Sequence, residues 1–219
     1  MQKAKEAKIA AWDRKPWPMS GDADESKLYA AVGRALSAWE RYEARLAFLF
    51  AQFMNTPTLQ PPIRAYCAIR TFEGRASMLQ AASLAFFYGL GIPDDHQLVK
   101  DFKSVLSQAK KFSERRNDIA HGVVDHYHPQ TNDTGAWINR SGYALFPTYG
   151  SLKERDQAGI PTYCYSSAEL DYFSEQFRAL QKPAHTLAAE ISVTTDALMK
   201  ALNTPVNALP RKPLQPSHT

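Results

Sequence analysis

Residues 24–55, DESKLYAAVGRALSAWERYEARLAFLFAQFMN, decide the fold class. Leu28, Val32, Leu36, Trp39, Leu46, Phe50 and Met54 recur at three- and four-residue steps, the spacing that lines one face of an α-helix. Downstream, Pro57, Pro61 and Pro62 break the chain. A second helix is expected from Pro62 to Tyr88, with Pro62 suited to its first turn, and Gly89-Leu90-Gly91-Ile92-Pro93 ends it. A third starts near Asp94 or Asp95, carries Leu98, Phe102, Leu106, Ala109 and Phe112, and stops near His121-Gly122.

Residues 123–165 change character. Val123 to His128, Trp137 to Arg140, Tyr143 to Phe146 and Thr162 to Tyr165 are short β-rich runs separated by Gly, Pro, Asn and Asp. They predict a small antiparallel hairpin or three-stranded sheet inserted between helices three and four, with Ser141-Gly142 as a tight turn between the middle two runs. A fourth helix opens with the capping box Ser166-x-x-Glu169 and continues to about Leu202, with Pro183 expected to kink or split it. The expected fold is an all-α helical bundle carrying a β insertion. Its domain spans residues 22–202, between a flexible N-terminal arm (1–21) and a disordered Pro-rich tail (203–219). Trp12 and Trp17 give the arm two rings able to dock.

Composition narrows the class further. With 44% hydrophobic residues and 11% aromatics, the chain can build a real core, and disorder throughout is excluded. No apolar run is long enough for a transmembrane helix, and no apolar segment follows the charged N-terminus as a secretory signal would require. Cys67 and Cys164 form no disulfide framework or metal spacing and read as free buried thiols in a reducing cytoplasm. The net charge of +4 resides in the ends. Residues 1–20 carry five Lys/Arg against two Asp/Glu, and the tail adds Arg211 and Lys212, so the body is close to neutral. Bulk charge therefore does not mark a nucleic-acid-binding domain. One local concentration, six basic and two acidic residues from Lys100 to Arg116, fits either a solvated face or a phosphate-steering strip.

Two charges misfit the helical pattern. At 100° per residue, Glu43 falls in the middle of the first helix's apolar stripe, within about 20° of Val32, Phe50, Leu36 and Met54. On the third helix Arg116 lies about 40° from Phe102, also on the stripe. Buried charges are paired, so Glu43 and Arg116 are expected to pair, as the guanidinium fork suits a carboxylate. His121 follows Asn117 by four residues and shares its face. Arg116 and His121 are separated by about 7.5 Å along the axis, a gap that a long side chain can close toward a shared anion. A histidine in the last turn also suits the helix dipole without any function.

The segment Arg116-Asn117-Asp118-Ile119-Ala120-His121-Gly122 resembles the R-x4-6-H motif of the HEPN family, with the polar Asn directly after the Arg. The element order is similar too, over roughly residues 24–202: four to five helices, the motif late in the third, and a β insertion before a long last helix. The resemblance implies a metal-independent endoribonuclease, plausibly a toxin or phage-defence effector, that acts on RNA as a homodimer and is held in check by a cognate antitoxin. It would make Arg116 and His121 catalytic, with Asn117 orienting them, and needs no metal and no other cofactor. Dependence on the ribose 2′-OH would give RNA over DNA. Independently of the resemblance, the helical wheels would have Glu43 hold Arg116, with Glu73 and Arg70 supporting the cleft. Val123 stands where related toxins carry a modifiable tyrosine, so silencing by that route is not expected. Inactive HEPN modules that dimerise or bind proteins or nucleotides are the alternative.

Other clusters carry less. Asp125, His126 and His128 follow the motif, and His126 and His128 would share a strand face, but no third ligand follows at a metal-binding spacing; Arg70, Glu73 and Arg75 can pair with neighbouring helices or line the cleft. The rings of Trp137, Tyr143, Tyr149, Tyr163 and Tyr165 can pack the insertion onto the bundle or stack on bases.

Overall fold

A computed structural model of the chain describes residues 10–127, 130–131, 137–138, 141–157 and 159–202. His128, Arg140 and the tail expected to be disordered lie outside these residues. The architecture is a helical bundle with a small antiparallel sheet, built around α1 (Glu25–Met54). Asp24 caps α1 by accepting the Ser26 amide at 2.9 Å. Leu28, Trp39, Leu46 and Phe50 are buried as the periodicity predicts, whereas Val32 and Leu36 are half-buried and Met54 is exposed.

The expected second helix is two: α2 (Gln60–Ala68) and α3 (Phe72–Gly89). The break is a capping event. Thr71 adopts extended backbone and its Oγ1 accepts the Gly74 amide at 3.2 Å. The turn is so close that a Cβ on Gly74 would sit 2.7 Å from Ile69 Cγ2. No Pro or Gly interrupts Ile69-Arg70-Thr71, so periodicity alone runs through it.

Next comes α4 (Gln97–Ala120), followed directly by β1 (Gly122–His126). The motif's last residue, His121, is the C-cap of α4, with its amide donating to the Asn117 carbonyl at 3.0 Å. Gly122 is the first residue of the strand rather than a left-handed cap, and it is glycine because Leu145 is close: a Cβ there would lie 2.7 Å from Leu145 Cγ.

The insertion pairs differently from the expectation. β1 runs antiparallel to β4 (Tyr143–Pro147), from Gly122 opposite Pro147 to His126 opposite Tyr143. The short β2 (Gln130–Thr131) and β3 (Trp137–Ile138) pair with each other. The Thr162–Tyr165 run forms no strand; Tyr165 makes a single bridge to Leu145, with N–O distances of 2.8 and 3.0 Å. The start of β4 is instead bridged by the N-terminal arm, where Asp22 and Tyr143 exchange backbone hydrogen bonds of 2.8 and 2.7 Å. Gly21 and Gly142 make that crossing possible, since a Cβ on Gly142 would meet the Asp22 carbonyl oxygen at 2.6 Å.

The last helix, α5 (Ser167–Leu202), stays helical through Pro183, so the expected split is absent. Leu180, Ala184 and Leu187 on either side of the proline are buried against the bundle core, and that packing outweighs one missing hydrogen bond. Trp39 of α1 is the centre of the contact, with ring centroids 5.2 Å from Phe177 and 5.5 Å from Tyr42 and Phe72. Cys164 is buried as expected, but Cys67 is exposed on α2. Among the described residues no helix is long and apolar enough to cross a membrane.

Two carboxylates close the start of α5. Glu169 accepts the Ser166 amide at 2.7 Å, the half of the capping box that the sequence shows. Asp22, reaching across from the arm, accepts the Ser167 amide at 2.7 Å and the Ser167 hydroxyl at 2.6 Å. Burial works against the ionised carboxyl, but the Ser167 groups and Lys27 outweigh it and hold Asp22 below its ordinary value of 3.8. A carboxyl lowered on folding stabilises the protein above its unfolded value and loses that contribution as pH falls through the folded one. Asp22→Asn should therefore melt below the unmodified protein at pH 7, with the gap closing below about pH 4. Thermal unfolding followed by circular dichroism checks this, and a gap unchanged in acid would contradict it.

Candidate active site

The motif residues leave α4 on two sides. Arg115 and Asp118 are buried, Arg116 is half-buried, and Asn117 and His121 are exposed. One open cleft of about 430 Å³ is lined by Arg116, Asn117 and His121 together with Glu40 and Glu43 of α1 and Arg70, Glu73 and Arg75 around the start of α3. All six residues singled out from the sequence (Arg116, Asn117, His121, Glu43, Glu73 and Arg70) border this one cavity.

The pairing inside it differs from the expectation. Glu43 does not pair with Arg116: its Oε2 accepts from Arg75 Nη1 at 2.5 Å, with both side chains largely buried. Arg75 is fixed from its other side, since its Nε donates to the Ile69 carbonyl at 2.8 Å. The break between α2 and α3 therefore supplies both the arginine that neutralises Glu43 and the carbonyl that aims it. A helical wheel gives the direction of Glu43 but not which neighbour meets it.

Arg116 is consequently left lightly held. Its Nη1 donates to Asn117 Oδ1 at 3.2 Å, and its Nη2 lies 3.6 Å from the exposed carboxylate of Glu40. Its Nε is buried without a hydrogen-bond partner, an unsatisfied donor at the cleft. Asn117 thus touches Arg116 directly. The imidazole of His121 makes no hydrogen bond or ion pair among the described residues. Glu73 is exposed and reaches Lys110 only at 3.9 Å, and Arg70 is exposed on the loop between α2 and α3. Three carboxylates and three guanidinium groups line the cleft, so it is close to formally neutral without the imidazole.

The opposite side of the motif carries residues that the sequence reading missed. The Asp118 carboxylate is 7% exposed and is gripped by a fork from the N-terminal arm, Arg14 Nη2 to Oδ1 at 2.8 Å and Nε to Oδ2 at 3.1 Å. Tyr165 donates to Oδ2 at 2.8 Å, Arg115 Nε lies 3.3 Å from the same oxygen, and Tyr163 donates to the Asp118 carbonyl at 3.1 Å. Burial, reinforced by the Asp118 charge, pushes both tyrosines above their ordinary range. Burial opposes the charge on Arg14, but Asp118 and Glu154 more than compensate and raise it. Docking of the arm is completed by Trp12 edge-on to Phe112 and Trp17 edge-on to Phe146. Asp118 and Arg115 lie about 160° and 140° from Phe102 on the wheel, a direction that reads as solvent until the arm and the Tyr163–Tyr165 segment cover it.

The remaining clusters stay structural. His126 lies against Tyr143 with ring centroids 3.9 Å apart and the rings tilted by 37°, and Tyr163 and Tyr165 stack on each other and pack into the bundle. Among the described residues no group of three His, Cys, Asp or Glu could hold a metal ion.

The Glu43–Arg75 assignment is testable by a double-mutant cycle on thermal stability. Glu43→Ala should cost about 1–3 kcal/mol by orphaning a largely buried arginine, with strong coupling to Arg75→Ala and negligible coupling to Arg116→Ala. Coupling to Arg116 instead would reverse the assignment. In comparisons with protein-family models, with curated proteins and with solved structures, nothing matches this chain.

Proposed function

We propose that the protein is a HEPN-like, metal-independent endoribonuclease whose reaction centre is the cleft at the end of α4. The observation that carries this reading is the joint placement of Arg116, Asn117 and His121 on one water-accessible cavity. There the imidazole is free and the guanidinium keeps a buried donor unpaired. A group with that pair of features is suited to an anion that reaches both.

The chemistry needs no cofactor. A base takes the proton of the ribose 2′-OH, O2′ forms a bond to phosphorus, and the P–O5′ bond breaks as an acid protonates O5′. The products are a 2′,3′-cyclic phosphate and a 5′-hydroxyl. His121, whose imidazole can either give or take a proton, serves as one of the two proton-transfer groups. Arg116 stabilises the charge developing on the non-bridging oxygens, and Asn117 orients its guanidinium. The second proton-transfer group is His121 of another copy in a homodimer, or the exposed Glu73 or Glu40 of the same cleft. A growth-arrest or defence role, restrained by a cognate inhibitor and exercised in the cytoplasm, follows from the family resemblance alone.

One observation favours a second reading, a catalytically silent HEPN-like module that binds a protein or nucleotide. Glu40 already sits 3.6 Å from Arg116 and competes with a phosphate for it.

Incubating the protein with single-stranded RNA in EDTA separates the two. The nuclease reading predicts cleavage that persists without metal, falls about a hundredfold or more in His121→Ala, and falls about 100- to 1,000-fold in Arg116→Ala. Binding without cleavage supports the silent module. Equal cleavage by all three proteins would assign the activity to a contaminant and overturn the proposal.

A further inference from the structure

A second cavity, separate from the cleft, lies along the groove between α3 and α4 and encloses about 570 Å³. Its floor is apolar: Phe87, Val99, Phe102 and Leu106 are buried there, and Leu84 and Tyr88 of α3 stand on its edge, 58% and 89% exposed. α3 explains the exposure. Its outward positions include Ala81, Leu84, Ala85 and Tyr88, so the helix is apolar on the face turned to solvent as well as on the face turned to the core. Over the C-terminal half of α3, past the exposed Glu73, Ser77 and Gln80, the outer face is therefore apolar, and an apolar face of that kind normally has something covering it.

The charge on this groove is one-sided. Lys103, Lys110 and Lys111 of α4 form its rim, against a single carboxylate, Asp94. Asp94 sits at the Lys103 end, 3.5 Å from that ammonium. At the other end Lys110 reaches only the exposed Glu73 at 3.9 Å, and Lys111 lies over the Trp12 ring at 4.0 Å. Neither ammonium there is in a tight carboxylate pair. The apolar floor therefore runs from a lysine that shares the rim with Asp94 to two adjacent lysines whose neighbours are Glu73 at 3.9 Å and the Trp12 ring. From Val99 to Lys110 the groove extends about 16 Å along the α4 axis.

We propose that this groove binds a single soluble amphipathic anion, a medium- to long-chain carboxylate, with its head at Lys110 and Lys111 and its chain along Leu106, Phe102 and Val99. The size is that of a small-ligand pocket, and an apolar trough with cations at one end complements a molecule with an apolar tail and one anionic head. The proposal is independent of the nuclease reading, and its test uses no RNA.

Binding of octanoate, decanoate and dodecanoate, each below its micellar concentration, is measured by calorimetry on the full chain. Affinity should rise about fourfold per added methylene until the groove is filled. It should fall about tenfold or more when dodecanoate is replaced by dodecanol or when both head lysines are changed (Lys110→Gln with Lys111→Gln). Ser107→Trp, an exposed position on the groove wall, should abolish binding while leaving the melting temperature unchanged. Affinity that ignores chain length, or that survives Ser107→Trp, would overturn the proposal. So would sedimentation with anionic vesicles, or capture of an acidic amphipathic peptide, when no monomeric carboxylate binds.

Discussion

The position of the motif depends on one buried carboxylate. Asp118 is nearly sealed from solvent, yet partners reach it from three parts of the chain: the guanidinium groups of Arg14 from the arm and Arg115 from its own helix, and the hydroxyl of Tyr165 from the segment before α5. An isolated carboxylate there would be costly, and the fork from Arg14 with the tyrosine hydroxyl makes it tolerable. The consequence is directional. With Asp118 pinned in the last turn of α4, that turn is fixed, and with it Asn117 and His121, which line the cleft. Gly122 completes the constraint, because the tight approach of Leu145 fixes where the helix must become a strand. The arm, the sheet and the last helix thus share a single function with respect to the site: they set the angle at which α4 ends.

A second division of labour operates inside the cleft. Glu43 faces the bundle interior and needs a cation, and Arg75 meets that need from the capped break between α2 and α3. Arg116 is thereby spared. Had it been the partner of Glu43, its charge would have been consumed in a buried pair. Instead it keeps a hydrogen bond to its neighbour Asn117, a weak contact to Glu40 and an unpaired Nε. The departure from the expected pairing leaves the guanidinium better able to meet an anion than the expectation itself did.

The parts of this arrangement visible in the sequence are those governed by local periodicity. The stripe Leu28–Trp39–Leu46–Phe50, the stripe Leu98–Phe102–Ala109–Phe112 and the Ser166–Glu169 box all encode short-range geometry, and all appear as expected. The inward direction of Glu43 was legible for the same reason. What was not legible depends on contacts between distant segments. Arg14 and Asp118 are 104 residues apart, and nothing near either one indicates the other. The pairing of β1 with β4 is set by the arm at Asp22 as well as by the strands themselves. The end of α2 was hidden because α2 stops at Ile69 and Thr71 starts a new helix as its N-cap, a weaker mark than the Gly-Leu-Gly-Ile-Pro run that ends α3. Pro183, expected to kink or split α5, does not split it, since burial on both sides holds the helix together.

On the proposed function, Arg116 and His121 meet on a common phosphate. The most direct test is a nuclear magnetic resonance titration of protein labelled with ¹⁵N at arginine and histidine side chains, using a 2′-deoxy oligonucleotide that can bind but not react. The account predicts that the Arg116 Nε and His121 imidazole signals shift together, with one dissociation constant, while the Arg14 and Arg75 Nε signals stay in place. Movement of one without the other, or shifts confined to Arg14 and Arg75, would contradict it.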